Sequence, residues 1–549
     1  MSELRPSPNS THEVINQPEG LDGYNLFDTD PTVTSFLERT GAVTEELWGL
    51  GQWLGTPEAM ELGRQANAYP PTLRPYDARG NRIDEVEFHP SYHRLMSTTI
   101  GAGIASFPEK DGPDPNHHLK RAVGMYLISQ NEAGHGCPIS MTYAAVPSLR
   151  HNPALAAVYE PLLQAHSYAP ELVPAARKGS ATAGMAMTEK QGGSDLRANT
   201  TVAELGESGE ALLTGHKWFC SAPMSDLFLT LARDKDGLSC YLVPRVLEDG
   251  TRNSFLIRRL KDKLGNRSNA SSEIEYDHTV GYRVGEPGRG VKTIMDMVAF
   301  CRFDSMLGSA AQMRQGLVQA IWFARGRSAF GKNLVEQELM QNVLVDLSIE
   351  SEAATLTSLY LAAMDDRAAM DPAAKSFRRI AVAAAKFLIC KRAPAFMAEA
   401  MESLGGNGYV EESILARLFR ESPLNGIWEG SGNVNALDVL RAMAKEPYSV
   451  EVLLAELEAT TGANAAYDAA LGDFKHRLAH LESPEWQARE LVEKMALLVE
   501  SSLMLRFSSP TNAQLFCDSR LGGRHGSVLG TLPRTGEAKS ILEAAFPHF

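Results

Sequence analysis

The chain has 549 residues, a formal charge of −14, and 44% hydrophobic and 22% charged content. That length exceeds what one hydrophobic core serves, and the composition excludes a disordered polyelectrolyte, so three to four domains or subdomains are expected. The acidic balance repels polyanions at long range, so any nucleic-acid surface must be local.

Residues 1 to about 40 are rich in Pro, Asn, Asp and Thr, which predicts an extended arm able to lie across a neighbouring subunit. Helical spacing begins after Thr44 with Leu47, Leu50, Trp53 and Leu54 and breaks at Tyr69-Pro70-Pro71. Longer helices are predicted over roughly 91–106 and 117–133. His135 beside Cys137 offers too few ligands for zinc, so no metal site is expected. Two short helices punctuated by Asn152-Pro153 complete an N-terminal helical domain over 1–180.

Residues 181–293 differ in kind. ALLTGHKWFC, DLFLTLAR, LSCYLVPRV, NSFLIRRL and SSEIEYDHTV are short β-branched and aromatic runs separated by Gly, Asp and Asn, predicting an antiparallel β domain. No G-x-G-x-x-G follows a first strand, which argues against a doubly wound dinucleotide fold. Residues 294–445 return to helices, with Leu339, Val343 and Leu347 as one apolar stripe and Ile380, Ala384 and Leu388 as another. Pro394 is expected to kink or end its helix. In the tail, 446–549, helices are predicted near 449–459 and after Ser483-Pro484-Glu485, the second ending by Pro510. The fold class is mainly α with a central antiparallel β domain.

The six cysteines form no C-x-x-C pair, which points to reduced thiols and a cytoplasmic chain. The polar start lacks a signal core, and Lys386 interrupts the apolar run IAVAAAKFLIC, so no membrane span is expected.

Chemistry concentrates between Met185 and Ser221. Gly192-Gly193-Ser194-Asp195 supplies two residues free to take positive φ, so that N–H groups can converge on a pyrophosphate, with the Ser194 hydroxyl as a further donor. Thr188 follows Met185 and Met187, which lets a hydroxyl reach a ring heteroatom while thioethers pack the ring face. Such a site suits a flavin, although a bare G-G-S-D also makes an ordinary hairpin turn.

T-E-x-x-G-G-S-D, then His216 to Ser221, LKDKLGNRSNAS at 260–271 and WEGSGN at 428–433 occur in order and far apart. Together they resemble the acyl-CoA dehydrogenase family, and within it a branch of alkylation-response flavoproteins. The resemblance implies an N-terminal helical domain, a β domain, a four-helix bundle, an extra C-terminal helical domain and FAD. It places the base that removes the α-proton of an acyl thioester at Glu429, with Arg302 nearby. Another branch carries its base just before that arginine, where this chain has Cys301. The resemblance further implies flavin contacts from Met185, Met187, Thr188, Gly193 and Ser194. Trp218, Phe219, Cys220 and Ser221 lie behind the ring, and Ile427, Trp428, Ser431 and Asn433 line the later loop. Arg327, Phe330 and Gln337 match residues that reach a neighbouring subunit's cofactor, implying a homotetramer built as a dimer of dimers. Lys190, Gln191 and Glu402 depart from the family pattern and put ordinary acyl-CoA turnover in doubt.

The resemblance implies that the C-terminal domain binds double-stranded DNA; no helix-turn-helix or zinc-finger pattern appears in it, so contact would be to phosphates and not base edges. Residues 446–549 carry nine Lys and Arg against fourteen Asp and Glu, yet from 503 to 539 five basic residues face two acids. Arg441, Arg520, Arg524, Arg534 and Lys539 are the candidate phosphate contacts, although in so acidic a chain the sequence alone reads as a solvated helical face. The combined expectation is an FAD protein that binds DNA and retains weak dehydrogenase activity on a small or branched acyl-CoA. The alternative is a genuine acyl-CoA dehydrogenase with no DNA role.

Overall fold

A computed structural model describes residues 11–108, 112, 114–206 and 209–547; the first ten residues of the expected arm lie outside them. From Leu21 onward the arm is not extended but buried on its own chain. Leu21, Tyr24, Leu26 and Phe27 sink into the main core, and Tyr24 Oη donates to Gln315 at 2.8 Å. Asp30 then caps the helix Pro31–Thr40, accepting from Thr32 and Val33 N–H. Four apolar side chains within seven residues outweigh the turn-forming composition around them.

Helices Glu45–Leu54, Pro57–Ala68, Pro90–Gly101, His117–Asn131, Gly136–Leu149 and Pro153–Leu163 follow, with the hairpin Thr72–Tyr76/Arg82–Glu87 inserted. The β domain is a seven-stranded sheet. Leu227–Asp234, Glu210–Ser221, Ser271–Val284 and Gly237–Pro244 form most of its wall. Its pairing is antiparallel except where Ala183–Ala186 and Val202 run parallel to Leu227–Asp234. Leu227–Asp234 also pairs with Gly237–Pro244, so the sheet closes on itself.

The long helices Gly290–Gly326, Glu338–Arg367 and Pro372–Glu402, with Gly432–Lys445, make the bundle. Pro394 does not end its helix, which runs on to Glu402. Of the Leu339 stripe only Leu347 is fully buried, and Leu339 is 87% exposed. Ile380, Ala384 and Leu388 are all buried.

The tail forms Pro447–Glu458, Ala465–Ala479, Pro484–Phe507, Pro510–Arg520 and Ala538–Ala545. Met495, Val499 and Phe516 share one apolar core with the bundle, so the tail is packed against the bundle and not tethered to it. Among the described residues no helix is long and apolar enough to cross a membrane.

Candidate active site

The loop Thr188 to Asp195 is shaped from beneath by Glu189. Its carboxylate accepts from Thr200 N–H at 2.6 Å, Thr201 Oγ1 at 2.6 Å and Lys217 Nζ at 2.9 Å. Burial opposes this charge, but Lys217 and the threonine donors outweigh it and hold the carboxyl well below its usual range. Neither Gly192 nor Gly193 takes the positive φ expected of it. Gly193 is needed for a different reason: a Cβ there would stand 2.7 Å from Thr188 Oγ1. Thr188 Oγ1 and the exposed Ser194 hydroxyl make no bond within the described chain and remain free to donate. Met185 and Met187 lie in one apolar cluster beneath them.

Trp218 joins this loop through its N–H, which donates to Thr188 O at 2.8 Å. A register shift between Lys217 and Cys220 breaks the strand's alternation. Cys220 is fully buried in the sheet core and its carbonyl accepts from Ser272 Oγ at 2.8 Å, so it does not reach a ligand as expected. Phe219 is exposed, and the Lys261 ammonium lies 3.3 Å from the Trp218 ring centre. Ser221 continues the same strand toward Cys137, whose thiol has Lys263, Glu429, Asn269 and Ser221 as polar neighbours.

Glu429 sits at φ +54, a left-handed conformation that costs a side chain of this size about 1–3 kcal/mol and clusters at functional sites. Gly430 follows at φ +99, open only to glycine at low cost. Two cations hold this turn. Arg302 Nε donates to Glu429 O at 3.0 Å while its Nη1 pairs with Asp438 at 2.6 Å. Lys386 Nζ donates to the carbonyls of Trp428 and Gly430, both at 2.6 Å. Glu429 Oε2 is buried without a partner. Burial pushes this carboxyl up to about 7, against the pull of Lys386 and Arg302. Arg302 is thus a positioning residue, bound to main chain and Asp438 and not free for substrate. Cys301 lies near Glu429, and burial pushes its thiol well above the usual range.

Lys386 was not foreseen; in sequence it reads only as an interruption of an apolar helix. Burial lowers its ammonium to about 8. Trp428 donates to Asn425 at 2.9 Å, Ile427 is exposed, and Ser431 precedes the helix Gly432–Lys445 without spending its side chain on a cap bond. Asn433 accepts from Arg489 at 2.8 Å. Phe330 is 100% exposed at φ +54, Arg327 donates to Asn16 O, and Gln337 donates to Ala329 O at 2.9 Å. His135 is buried between Glu132 and Thr99. Among the described residues no cluster could hold a metal.

Family models match the chain in three consecutive pieces. They are the adaptive response protein AidB N-terminal domain over 16–170, the acyl-CoA dehydrogenase middle domain over 184–279 and the acyl-CoA dehydrogenase C-terminal domain over 288–444. The putative acyl-CoA dehydrogenase AidB of Escherichia coli (strain K12) is 43% identical over 519 residues, 94% of this chain and 95% of that one. The chain belongs to the acyl-CoA dehydrogenase family.

Caenorhabditis elegans ACDH-11, solved in complex with C11-CoA, superposes with a TM-score of 0.82 at 25% identity, covering 98% of both chains. A Bacillus anthracis acyl-CoA dehydrogenase complexed with FAD shares the fold, with a TM-score of 0.63 at 16% identity over 84% of this chain and 87% of that one. As a family member the protein is an FAD-dependent oxidoreductase. The site fits that cofactor: Gly193 keeps open the space beside Thr188, and the Thr188 and Ser194 hydroxyls are left without partners in the described chain.

Proposed function

We propose that the protein dehydrogenates an acyl-CoA, with Glu429 as the base that removes the α-proton. The observation that carries this reading is the half-buried Glu429 carboxyl, with its Oε2 enclosed and unpartnered, and raised by desolvation to about 7. A base tuned near ambient pH is ionised in useful amount yet still basic enough to take a proton. The strained turn keeps it in place, because Arg302 and Lys386 hold three consecutive carbonyls and leave the side chain free. Thr188 and Ser194 would donate to the flavin, and Met185 and Met187 would pack against it. FAD, when bound, accepts the hydride from the β-carbon. Ile427, Trp428, Ser431 and Asn433 belong to the rim of the same site.

The fully exposed Phe330 supports a tetramer in which Arg327, Phe330 and Gln337 meet a partner's cofactor. Six free cysteines support a cytoplasmic location. Anaerobic titration with acyl-CoAs of increasing chain length tests the dehydrogenase reading: the flavin absorbance bleaches with at least one of them. A flavin that no acyl-CoA reduces would remove it.

A second reading, double-stranded DNA binding by the tail and its neighbouring helix, is supported by surface cations. Arg441, Arg524, Arg534 and Lys539 are exposed. Arg520 is withdrawn from this set. Its side chain is 3% exposed and pairs with Asp346 and Glu350 in the bundle, so it cannot meet a phosphate.

A further inference from the structure

Residues 16–19, ahead of the buried part of the arm, lie on the end of helix Gly290–Gly326 and on the turn after it. Asn16 and Ser328 exchange two bonds: Asn16 Nδ2 donates to Ser328 O at 2.8 Å, and Ser328 N–H donates to Asn16 Oδ1 at 2.7 Å. Asn16 stands at φ +54, a conformation asparagine tolerates better than most side chains. Gln17 Oε1 accepts from Arg327 Nη1 at 3.4 Å and from Asn407 Nδ2 at 3.1 Å. Pro18 lies against Gly326, where an added Cβ would stand 3.0 Å from Pro18 Cβ, and Glu19 O accepts from Trp322 Nε1 at 2.8 Å. Three stretches far apart in sequence, 16–19, 322–328 and 407, are thus tied into one knot.

Arg327 is at its centre. Its Nη1 meets Asn16 O and Gln17 Oε1, whereas Nε and Nη2 make no bond among the described residues, and no carboxylate there pairs with it. Arg302 and Arg520 differ, each being neutralised by a buried carboxylate. Neutral acceptors orient a guanidinium and leave its charge available.

The surface around this half-buried arginine is apolar. Val14 and Ile15 are each 74% exposed, and Phe330 and Tyr409 are more exposed still. All four lie within two residues of one of the bonds above. Large apolar side chains gathered about an available charge mark a face that another molecule covers.

We propose that residues 14–19 form a brace that sets Arg327 against a phosphate of the FAD held by a second copy of this chain, with Asn16 and Gln17 as positioning residues. The proposal rests on the reading that Arg327, Phe330 and Gln337 meet a partner's cofactor, and it adds the element that fixes the arginine. Nε and Nη2 are the donors left for the phosphate, a group that guanidinium matches in shape and charge. An arginine loose in solvent loses rotamer freedom on meeting that phosphate; one already held through Nη1 has less to lose. The same second copy covers Val14 and Ile15.

The test measures the Kd for FAD by serial dilution of the FAD-loaded protein, read by the fluorescence of released flavin, with assembly followed by light scattering. Gln17→Ala and Asn16→Gly, the latter keeping the positive φ, should each weaken FAD roughly fivefold, the worth of one net hydrogen bond, and Arg327→Ala roughly tenfold or more. The double variant Gln17→Ala with Arg327→Ala should be no weaker than Arg327→Ala alone, because a residue that acts through the arginine has no effect once the arginine is gone. Gln17→Glu keeps the acceptor but neutralises the guanidinium, so it too should weaken FAD, which loss of a merely structural bond would not explain. Wild-type affinity in Arg327→Ala would remove the underlying reading and the proposal with it. If Arg327→Ala weakens FAD while Gln17→Ala and Asn16→Gly do not, the proposal alone falls. Additive losses in the double variant, or losses that appear only when the assembly dissociates, would also overturn it.

Discussion

Arg302 donates to the main-chain oxygen of Glu429 at 3.0 Å, across 127 residues of sequence, and in doing so holds a glutamate in a left-handed conformation. Asp438 anchors that guanidinium at 2.6 Å and takes Arg379 and Arg441 as well. The positive charge is therefore spent on backbone and a structural carboxylate, and the Glu429 side chain keeps its unpaired oxygen. With Lys386 on the carbonyls to either side, the turn is braced at three consecutive oxygens.

Lys386→Met should move the pH dependence of flavin reduction upward. Lys386 pulls the Glu429 carboxyl down against burial, so losing the cation takes it further above 7 and leaves less of the base ionised at neutral pH. Rapid-reaction bleaching across a pH series checks this: the rate at pH 7 falls and recovers at higher pH. A uniform loss at every pH, with the midpoint unmoved, would mean that Lys386 only supports the fold.

Thr188→Ala with Ser194→Ala should weaken FAD retention, since each removes a donor that the described chain leaves unused. Gly193→Ala should do so too, because its methyl meets Thr188 Oγ1 at 2.7 Å. Flavin content after gel filtration measures this. Full FAD loading in both variants would place the cofactor's donors elsewhere.

The loop from Thr188 to Asp195 and the turn at Trp428-Glu429-Gly430 were legible in sequence because their chemistry is local, carried by residues side by side. What was not legible depends on distant partners. Arg520 reads as part of a basic tail, and nothing near it announces Asp346 and Glu350, more than 160 residues earlier. Lys386 reads as a polar interruption until the carbonyls of Trp428 and Gly430 arrive beneath it. Gly193 was assigned a conformation when its role is clearance from Thr188. Composition predicts an extended arm because it counts Pro and Asn and does not weigh four apolar side chains against a ready core.

The tail's arginines should separate into two behaviours. Arg520→Ala leaves Asp346 and Glu350 without their shared cation, a loss of about 3–5 kcal/mol for a broken buried pair, read as a lower melting temperature. Replacing Arg524, Arg534 and Lys539 by Gln should leave melting unchanged and flatten the plot of log affinity for duplex DNA against log salt by about 0.9 per lost phosphate contact. Salt-insensitive binding, or an unchanged slope, would take DNA away from this surface.

Glu429→Gln should also change stability in a pH-dependent way. The carboxyl's folded value near 7 exceeds its ordinary 4.5, so the unfolded chain loses that proton first. The glutamate's contribution to stability then falls as pH rises from 4.5 to 7 and stays low above. Thermal melting should find the variant more stable than the wild type at pH 8, with the difference shrinking toward pH 4. A pH-independent difference would mean that Glu429 is not raised in the fold.

The most direct measurement is the anaerobic rate of flavin bleaching by a reactive acyl-CoA, compared between wild type and Glu429→Gln from pH 6 to pH 8. With Glu429 as base, the wild-type rate climbs through a midpoint near 7, and the variant, still folded and FAD-loaded, is slower by roughly 10²- to 10⁴-fold with no such midpoint. Equal rates in the two proteins, or a variant that keeps the wild-type midpoint, would contradict the assignment of Glu429.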